Sequence, residues 1–204
     1  FNAETVSKLG SFDLTLNSLL KLATHIQNIS DRSIADGVVI TQGTDTLEET
    51  AFLLDAVLDV EIPVVVIGAM RNPLMISADG PGNLLGAVRT IISPEVSECA
   101  GKLGVLVTML DTIHTARHVA KTDSSRIDAF SSPPTGPIGV LVEDRVRIHM
   151  YPDRNWKIAF IGICSGISAA MQDHPKQVGL VTVGLDESGG FLRALCESED
   201  LLGY

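Results

Sequence analysis

The sequence contains no long apolar run and few positive charges, and these shortages argue against two broad classes of protein. Gly, Pro or charged residues interrupt every apolar segment before it reaches the roughly 20 residues that a helix needs to cross a bilayer. The 204 residues include 15 Lys and Arg but 25 Asp and Glu, a formal net charge of -10. Nucleic-acid-binding proteins rely on clustered Lys and Arg. We therefore predict a soluble protein that binds neither nucleic acid nor a membrane and acts on a small molecule.

Cysteine is also scarce, with three residues spread over the chain: Cys99, Cys164 and Cys196. None of them forms a CxxC motif or stands at metal-ligand spacing from a histidine, so we predict no metal site. Scattered cysteines fit a reducing compartment, and we predict a cytoplasmic protein. The sequence begins with Phe1 rather than Met, which leaves open a signal peptide ahead of it.

Hydrophobic residues make up 45% of the chain, enough for a core of ordinary globular size. Short β-branched runs alternate with amphipathic helical patterns, which predicts βα units and an open, mostly parallel sheet with helices on both faces. The predicted strands are 37–41, 63–67 and 104–108. The first predicted helix follows Asp13, which is expected as its N-cap, the second begins at Leu47, and the third spans about 84–92.

From Ile138 the pattern changes, because IGVLV and the alternating VRIHMY flank the charged turn EDR. This pattern predicts an antiparallel hairpin that closes an N-terminal α/β domain, residues 1–151. We predict a linker at 152–177 and the start of a smaller C-terminal α/β domain at 178–204. Since a lone βα unit cannot cover its own apolar surface, we expect a longer natural chain or a second subunit that completes it.

The segment QGTDT, residues 42–46, separates a predicted buried strand from a predicted helix. In open α/β sheets, ligands bind outside the carboxyl ends of strands, where such loops precede helices. The glycine permits a tight turn, and Thr44 and Asp45 supply a hydroxyl and a carboxylate. The alternative interpretation is structural, because Thr46 with Glu49 has the spacing of a capping box and Asp45 suits an N-cap. Spacing alone favours capping.

Two other polar residues are open to a functional or a structural interpretation. Lys121 lies in the hydroxyl-rich stretch AKTDSS, and a lysine that is desolvated beside a threonine can act as a base. Most lysines are simply solvated. Asp79 in SADGPGN is predicted as a turn residue, together with the glycine and proline after it.

The GxCxG motif around Cys164 has the form of a nucleophile elbow, and His114 and His118 are candidate bases or ligands. Apart from His174, no acid or base partner follows Cys164 at the expected positions. We therefore predict a buried thiol at Cys164. The two histidines are predicted either as polar loop residues or as residues that contact the reacting groups without contacting substrate.

These motifs occur together and in a fixed order. The stretches TQGTDTLEETAFLLD, PVVVIGAMR with SADGPGNL, and IHTARHVAKTDSS followed by DAFSSP and GPIG closely resemble the bacterial asparaginase family of the glutaminase-asparaginase type. The resemblance covers nearly all of residues 10–142. It implies hydrolysis of the side-chain amide of asparagine to aspartate and ammonia, with some activity on glutamine and without metal or cofactor. It also favours the functional interpretation of residues 42–46 over capping.

Three catalytic residues are implied by the resemblance. By motif, Thr44, Asp45 and Lys121 look like the threonine, aspartate and lysine set of the family. The lysine would relay protons for a threonine hydroxyl, while the aspartate would hold the substrate ammonium and orient the lysine.

Further substrate contacts are implied in the same way. Ser11 in GSFD matches the serine that binds the substrate carboxylate, and Ala69 in GAMR matches the residue whose backbone carbonyl faces the substrate amide. Gly43 belongs to the substrate-binding loop with Thr44 and Asp45. An α-amino acid does need a carboxylate for its ammonium and donors for its own carboxylate.

The sequence departs from the family pattern at several points. A TGGTI-like stretch, whose threonine usually serves as nucleophile, and the tyrosine of the mobile loop after it are not among these residues. Phe12 stands where the family often has glutamine, and Gln42 where many members have histidine. Amino-group recognition and substrate range are therefore open.

The resemblance also bears on assembly and on alternative functions. Family members are homotetramers built from intimate dimers, which implies a homotetramer or dimer of dimers here. One alternative is the asparaginase-like subunit of a tRNA-dependent amidotransferase, which would pass ammonia to a partner. Another is a non-catalytic amino-acid binding module, suggested by the unmatched nucleophile segment.

Overall fold

The structure is a computed structural model that describes residues 1–157 and Gly190. The chain divides into two compact units, residues 1–161 and 162–204, and the domain boundaries expected from the sequence stay predictions. Three of the sequence predictions lie wholly or mostly outside the described residues: the linker at 152–177, the C-terminal domain at 178–204, and the GxCxG motif with Cys164 and His174.

A six-stranded open sheet forms the centre of the described part of the chain. Its strands are β1 (Val38–Thr41), β2 (Val64–Ile67), β3 (Val105–Met109), β4 (Thr112–Thr115), β7 (Gly139–Val142) and β8 (Arg145–Ile148), while β5 (Ala120–Lys121) and β6 (Phe130–Ser131) form a separate hairpin. The spatial order is β1-β2-β3-β4-β7-β8. The first three strands are parallel, and the remaining neighbours are antiparallel. The predicted open α/β fold with its edge hairpin is confirmed.

Helices cover both faces of this sheet. Residues on β2 and β3 alternate between the faces, as the pleat requires. Val64 and Val107 pack with one pair of helices, whereas Val65 and Leu106 pack with the helix on the other side. No helix in the described part of the chain is long and apolar enough to span a membrane. The helices on the first face are α1 (Leu16–Asp31) and α2 (Leu47–Val57), and those on the second are α3 (Gly80–Ile92) and the short α4 (Pro94–Ser97) and α5 (Ala100–Leu103).

The two parallel crossover connections have opposite hands. Strands β1, β2 and β3 lie side by side in chain order, yet the connecting helices α2 and α3 lie on opposite faces. Both connections step in the same direction across the sheet, but their helices lie on opposite faces. Two such connections have opposite hands, so they cannot both be right-handed. One of them therefore belongs to the left-handed minority, about 2% of such crossovers. Both still begin at the carboxyl edge of the sheet, where the loops after β1 and β2 meet.

Two local predictions were wrong. Asp13 does not cap α1, because Thr15 does: its Oγ1 accepts a hydrogen bond from Ser18 N at 3.2 Å, and Ser18 Oγ accepts one from Thr15 N at 3.0 Å. His114 does not lie in a loop, because it belongs to β4, which pairs antiparallel with β3. Leu110 and Asp111 make the connecting turn with φ of 46° and 60°.

Candidate active site

The polar segment after β1 folds into a 3₁₀ turn, Thr44–Thr46, that leads directly into α2. Thr46 Oγ1 donates a hydrogen bond to Ser11 O at 2.8 Å and accepts one from Gln42 Nε2 at 3.3 Å. Among the described residues, the Thr46 side chain makes no capping hydrogen bond to α2, so the capping box with Glu49, the structural alternative, is not formed. The segment is tied to the turn that contains Ser11.

Lys121 lies within hydrogen-bonding distance of this segment, although more than 70 residues separate them in the chain. Its Nζ donates to Thr44 Oγ1 at 2.9 Å and to Asp45 Oδ1 at 3.1 Å. The lysine side chain is only 17% exposed, whereas Asp45 is 57% exposed. A shielded amine therefore contacts a hydroxyl and a carboxylate whose other surface faces solvent.

The β5–β6 hairpin carries Lys121 to this position. Lys121 pairs with Phe130 across the hairpin, and Phe130 and Ala129 are buried in the core beneath α2. Thr122 N adds a hydrogen bond to Ala129 O at 2.7 Å. The backbone N–H of Lys121 points to the helix and donates to the carboxylate of Glu48. Sequence reasoning missed Glu48, because a glutamate in the first turn of a helix ordinarily only complements the helix dipole.

Ser11 lies against the other side of Asp45. It is buried, and its Oγ donates to Asp45 Oδ2 and accepts from Asp45 N, both at 3.3 Å. Gly43 makes this approach possible, because a Cβ at that position would lie 2.6 Å from Ser11 Oγ and 3.0 Å from Ser11 Cβ. The predicted Ser11, Gly43 and Asp45 are therefore neighbours in the structure.

Ala69 lies exposed in the loop after β2, at the same edge of the sheet. The preceding Gly68 packs against Thr44, since a Cβ added at Gly68 would lie 2.7 Å from the Thr44 methyl. This contact brings the loop with Ala69 beside the turn with Thr44.

Asp79 anchors this loop and is more than a turn residue. Its carboxylate accepts hydrogen bonds from Met70 N and Arg71 N, each at 2.9 Å, and from Asn83 Nδ2 at 3.0 Å. Both Asp79 and Asn83 are buried. Sequence reasoning missed Asn83, whose amide nitrogen also donates to Gly68 O at 3.0 Å.

The two residues that depart from the family pattern behave differently. Gln42 turns its amide toward α2, where Nε2 donates to Thr50 Oγ1 at 3.0 Å as well as to Thr46. Phe12 is 73% exposed beside Ser11. Gln42 therefore stabilises the turn at Thr44–Thr46, whereas Phe12 places an exposed apolar ring at the rim of the candidate site.

His114 is buried in β4 and is held neutral. Thr112 Oγ1 donates to Met109 O at 2.5 Å, so it must accept from His114 Nε2 at 3.1 Å, and Nδ1 then accepts from Ser132 Oγ at 2.9 Å. Burial lowers the pKa of His114 to about 4, because the charged imidazolium loses its hydration. His118 is half-buried and hydrogen-bonds a threonine of the same segment.

The arrangement suits nucleophilic or general-base chemistry. An amine within 2.9 Å of a hydroxyl has the geometry of a base with its nucleophile, and Asp45 offers an exposed carboxylate for an ammonium group. No group of three or more His, Cys, Asp or Glu side chains in the described residues could hold a metal ion.

Comparisons with known proteins agree on one family. The family model described as "Asparaginase, N-terminal" matches residues 1–154. L-asparaginase 2 of Bacillus subtilis (strain 168) is 41% identical over 143 residues, 70% of this chain and 37% of the relative. A glutaminase-asparaginase of Pseudomonas fluorescens biotype A is 42% identical over 142 residues, 70% of this chain and 38% of the relative.

A solved structure is also similar. The crystal structure of a probable cytoplasmic L-asparaginase from Campylobacter jejuni matches with a TM-score of 0.69 at 41% identity, over 74% of this chain and 45% of that one. The matched region spans less than half the length of each of these three proteins.

Proposed function

The chain belongs to the asparaginase family through its N-terminal domain, and on this premise we propose that the protein hydrolyses the side-chain amide of L-asparagine to L-aspartate and ammonia. The observation that carries the proposal is the contact of Lys121 Nζ with Thr44 Oγ1 and Asp45 Oδ1 at the carboxyl edge of the sheet. The names of the relatives support asparagine as substrate and glutamine as a second one. Asparagine and glutamine differ by one methylene, and a pocket discriminates between substrates that differ by one methylene by only about 1 to 3 kcal/mol.

In the proposed mechanism a threonine hydroxyl attacks the amide carbonyl. Thr44 is either that nucleophile or the relay for the second threonine that the family pattern implies, and in both cases the amine of Lys121 takes up the proton. The lysine then returns the proton to the departing ammonia, and water releases aspartate. The 2.9 Å distance between Lys121 Nζ and Thr44 Oγ1 supports this role, because a general base must lie within hydrogen-bonding reach of the proton that it accepts.

Substrate recognition is assigned to the neighbours of this pair. Asp45 holds the substrate ammonium through its exposed carboxylate, and Ser11 binds the substrate carboxylate. The backbone carbonyl of Ala69 orients the amide nitrogen, and Gly43 allows the turn to approach Ser11. The hydrogen bonds between Ser11 and Asp45 support this assignment, since they fix the distance between an ammonium site and a carboxylate site.

Assembly and location complete the proposal. We propose a homotetramer or dimer of dimers, supported by consecutive exposed apolar side chains at Leu74, Met75 and Ile76. We keep the domain division 1–151, 152–177 and 178–204. The cytoplasmic description of the Campylobacter jejuni relative supports a cytoplasmic location, which fractionation of cytoplasm and periplasm tests.

The experiment is ammonia release from L-asparagine and L-glutamine by the full-length natural protein, with aspartate or glutamate measured in the same samples. We expect equal amounts of ammonia and amino acid, and faster release from asparagine. A folded protein that releases neither product would overturn the proposal. Aspartate binding without turnover would then favour a binding module, and turnover only with a second subunit would favour an amidotransferase.

A further inference from the structure

Lys121 is held at two points by one short stretch of the chain. Its Nζ contacts Thr44 and Asp45, and its backbone N–H donates to the Glu48 carboxylate in the first turn of α2. The same stretch therefore fixes both ends of the lysine.

The backbone contact matters because the hairpin beneath it is small. Strands β5 and β6 have two residues each, and an isolated two-stranded hairpin is marginally stable in water. On the side of β6 the hairpin is closed by the bond from Thr122 N to Ala129 O. The N–H of Lys121 faces α2 instead, where the Glu48 carboxylate accepts the hydrogen bond that a neighbouring strand would otherwise accept.

We infer that Glu48 is a positioning residue, whose carboxylate holds the backbone of Lys121 so that the amine stays within reach of Thr44. This inference rests on the proposed function, because it assigns Glu48 a part in the proton transfer by Lys121. Glu48 acts through the lysine and is assigned no contact with substrate.

A structural alternative is that Glu48 only stabilises the N-terminus of α2 through the helix dipole. Glu49 separates the two explanations. It lies in the same first turn, carries the same charge and is exposed. Replacing either glutamate removes one charge from the helix terminus, but only Glu48 contacts Lys121.

The test measures kcat and KM for ammonia release from asparagine by the full-length protein and its variants. A displacement of about 1 Å in a catalytic group costs about 100-fold. We therefore expect Glu48→Ala to lower kcat by roughly 10- to 100-fold while KM stays within about threefold. Glu48→Gln keeps an acceptor oxygen at the same reach and is expected to restore kcat to within about threefold of the original. Glu49→Ala should leave kcat unchanged.

Two results would overturn the inference. One is a kcat for Glu48→Ala equal to that of Glu49→Ala, and the other is a Glu48→Gln variant as slow as Glu48→Ala. Should Glu48→Ala fail to fold, Glu48→Asp replaces it, because aspartate keeps the charge but is one methylene too short. Glu48→Asp should then lose kcat at an unchanged melting temperature, and full activity in that variant would contradict the inference.

An activity-independent readout separates this inference from the proposed function. The amide proton of Lys121, bonded to a carboxylate, should show a downfield NMR shift that moves upfield in Glu48→Ala but not in Glu49→Ala. If the original protein releases no ammonia but the shift changes as expected, the proposed function fails and the contact stands. An unchanged shift in Glu48→Ala would overturn the inference whatever the activity.

Discussion

At the scale of single residues, the site depends on how closely backbone segments can approach one another. Gly43 has φ of -64°, a value open to any residue, so its role is steric rather than conformational. The space where its side chain would lie is filled by Ser11. A glycine is needed here because two polar segments touch, and Ser11 then bridges to Asp45.

Replacing Gly43 by alanine tests this close approach. We expect Gly43→Ala to displace the Ser11 hydroxyl from Asp45, raising KM for asparagine by about tenfold, which corresponds to roughly 1.4 kcal/mol. The matched control is Gly82→Ala in α3, where an added Cβ meets nothing within 4 Å. That control should keep KM unchanged and gain up to about 1 kcal/mol in stability. An unchanged KM in Gly43→Ala would refute the steric argument.

His114 makes stability depend on pH. Its pKa of about 4 in the folded protein lies below the ordinary 6.5, so between these values the unfolded state binds a proton that the folded state does not. Stability should therefore rise as pH increases from about 4 to 6.5 and level off above, by up to about 3 kcal/mol. Urea unfolding across this pH range measures the dependence in the unmodified protein and in His114→Gln. The control is His149→Gln, which replaces an exposed histidine. A His114→Gln slope identical to that of the unmodified protein would contradict the assignment.

At the scale of elements, the site is built by loops that buried polar groups join together. Asn83 on α3 reaches both neighbouring connections, since its amide nitrogen donates to Gly68 O after β2 and its amide oxygen accepts from Leu110 N after β3, each at 3.0 Å. One side chain thus ties a helix to the carboxyl ends of two strands. The loop with Ala69 depends on this junction.

Truncation of Asn83 should therefore be costly. Asn83→Ala leaves the buried Gly68 carbonyl and Leu110 N–H without these bonds, and we expect a loss of about 3 kcal/mol in the free energy of unfolding. Asn28→Ala is the control, because that asparagine is exposed on α1 and should change stability by under about 0.5 kcal/mol. Denaturant unfolding compares the two variants. Equal losses in the free energy of unfolding would show that the hydrogen bonds of Asn83 do not stabilise the fold.

Periodicity predicted the elements with strong local patterns and failed where contacts are distant in sequence. The runs that became β1, β2 and β3 are β-branched and bounded by turn residues, so they could be located. Strand β4 was missed because its turn uses positive φ at Leu110 as well as at Asp111, and leucine does not signal such a turn. The contact of Glu48 with Lys121 spans 73 positions and has no local signature. Thr44, Asp45 and Lys121 were singled out together by the family motifs, and their roles stay predictions.

At the scale of the whole described molecule, a buried ion pair and the candidate site lie at opposite ends of the parallel strands. Arg154 Nη1 donates to Asp55 Oδ1 at 2.7 Å, and the same oxygen accepts from Val105 N at 2.9 Å. Both ionic side chains are mostly buried, at 13% and 6% exposure. This pair lies where β3 begins, whereas Thr44 and Lys121 meet beyond the carboxyl end of β1.

Breaking this ion pair should lower stability without changing the chemistry. Arg154→Ala leaves a buried carboxylate without its counter-charge, and we expect a loss of about 3 kcal/mol with kcat unchanged. The exposed pair of Arg126 and Asp128 supplies the control, since solvent screens such a pair and Arg126→Ala should leave stability nearly unchanged. Thermal unfolding and ammonia release on the same samples measure both effects. A fall in kcat at a temperature where Arg154→Ala is fully folded would contradict the separation.

Lys121 is proposed to work with Thr44 and Asp45 in amide hydrolysis. The most direct measurement is ammonia release from L-asparagine by the full-length natural protein beside Lys121→Ala and Lys21→Ala, the second being an exposed lysine on α1. We predict that Lys121→Ala loses at least about 100-fold in kcat, the scale of general-base catalysis, while its fold and the activity of Lys21→Ala are retained. A folded Lys121→Ala variant with the original kcat would contradict the proposed role of Lys121.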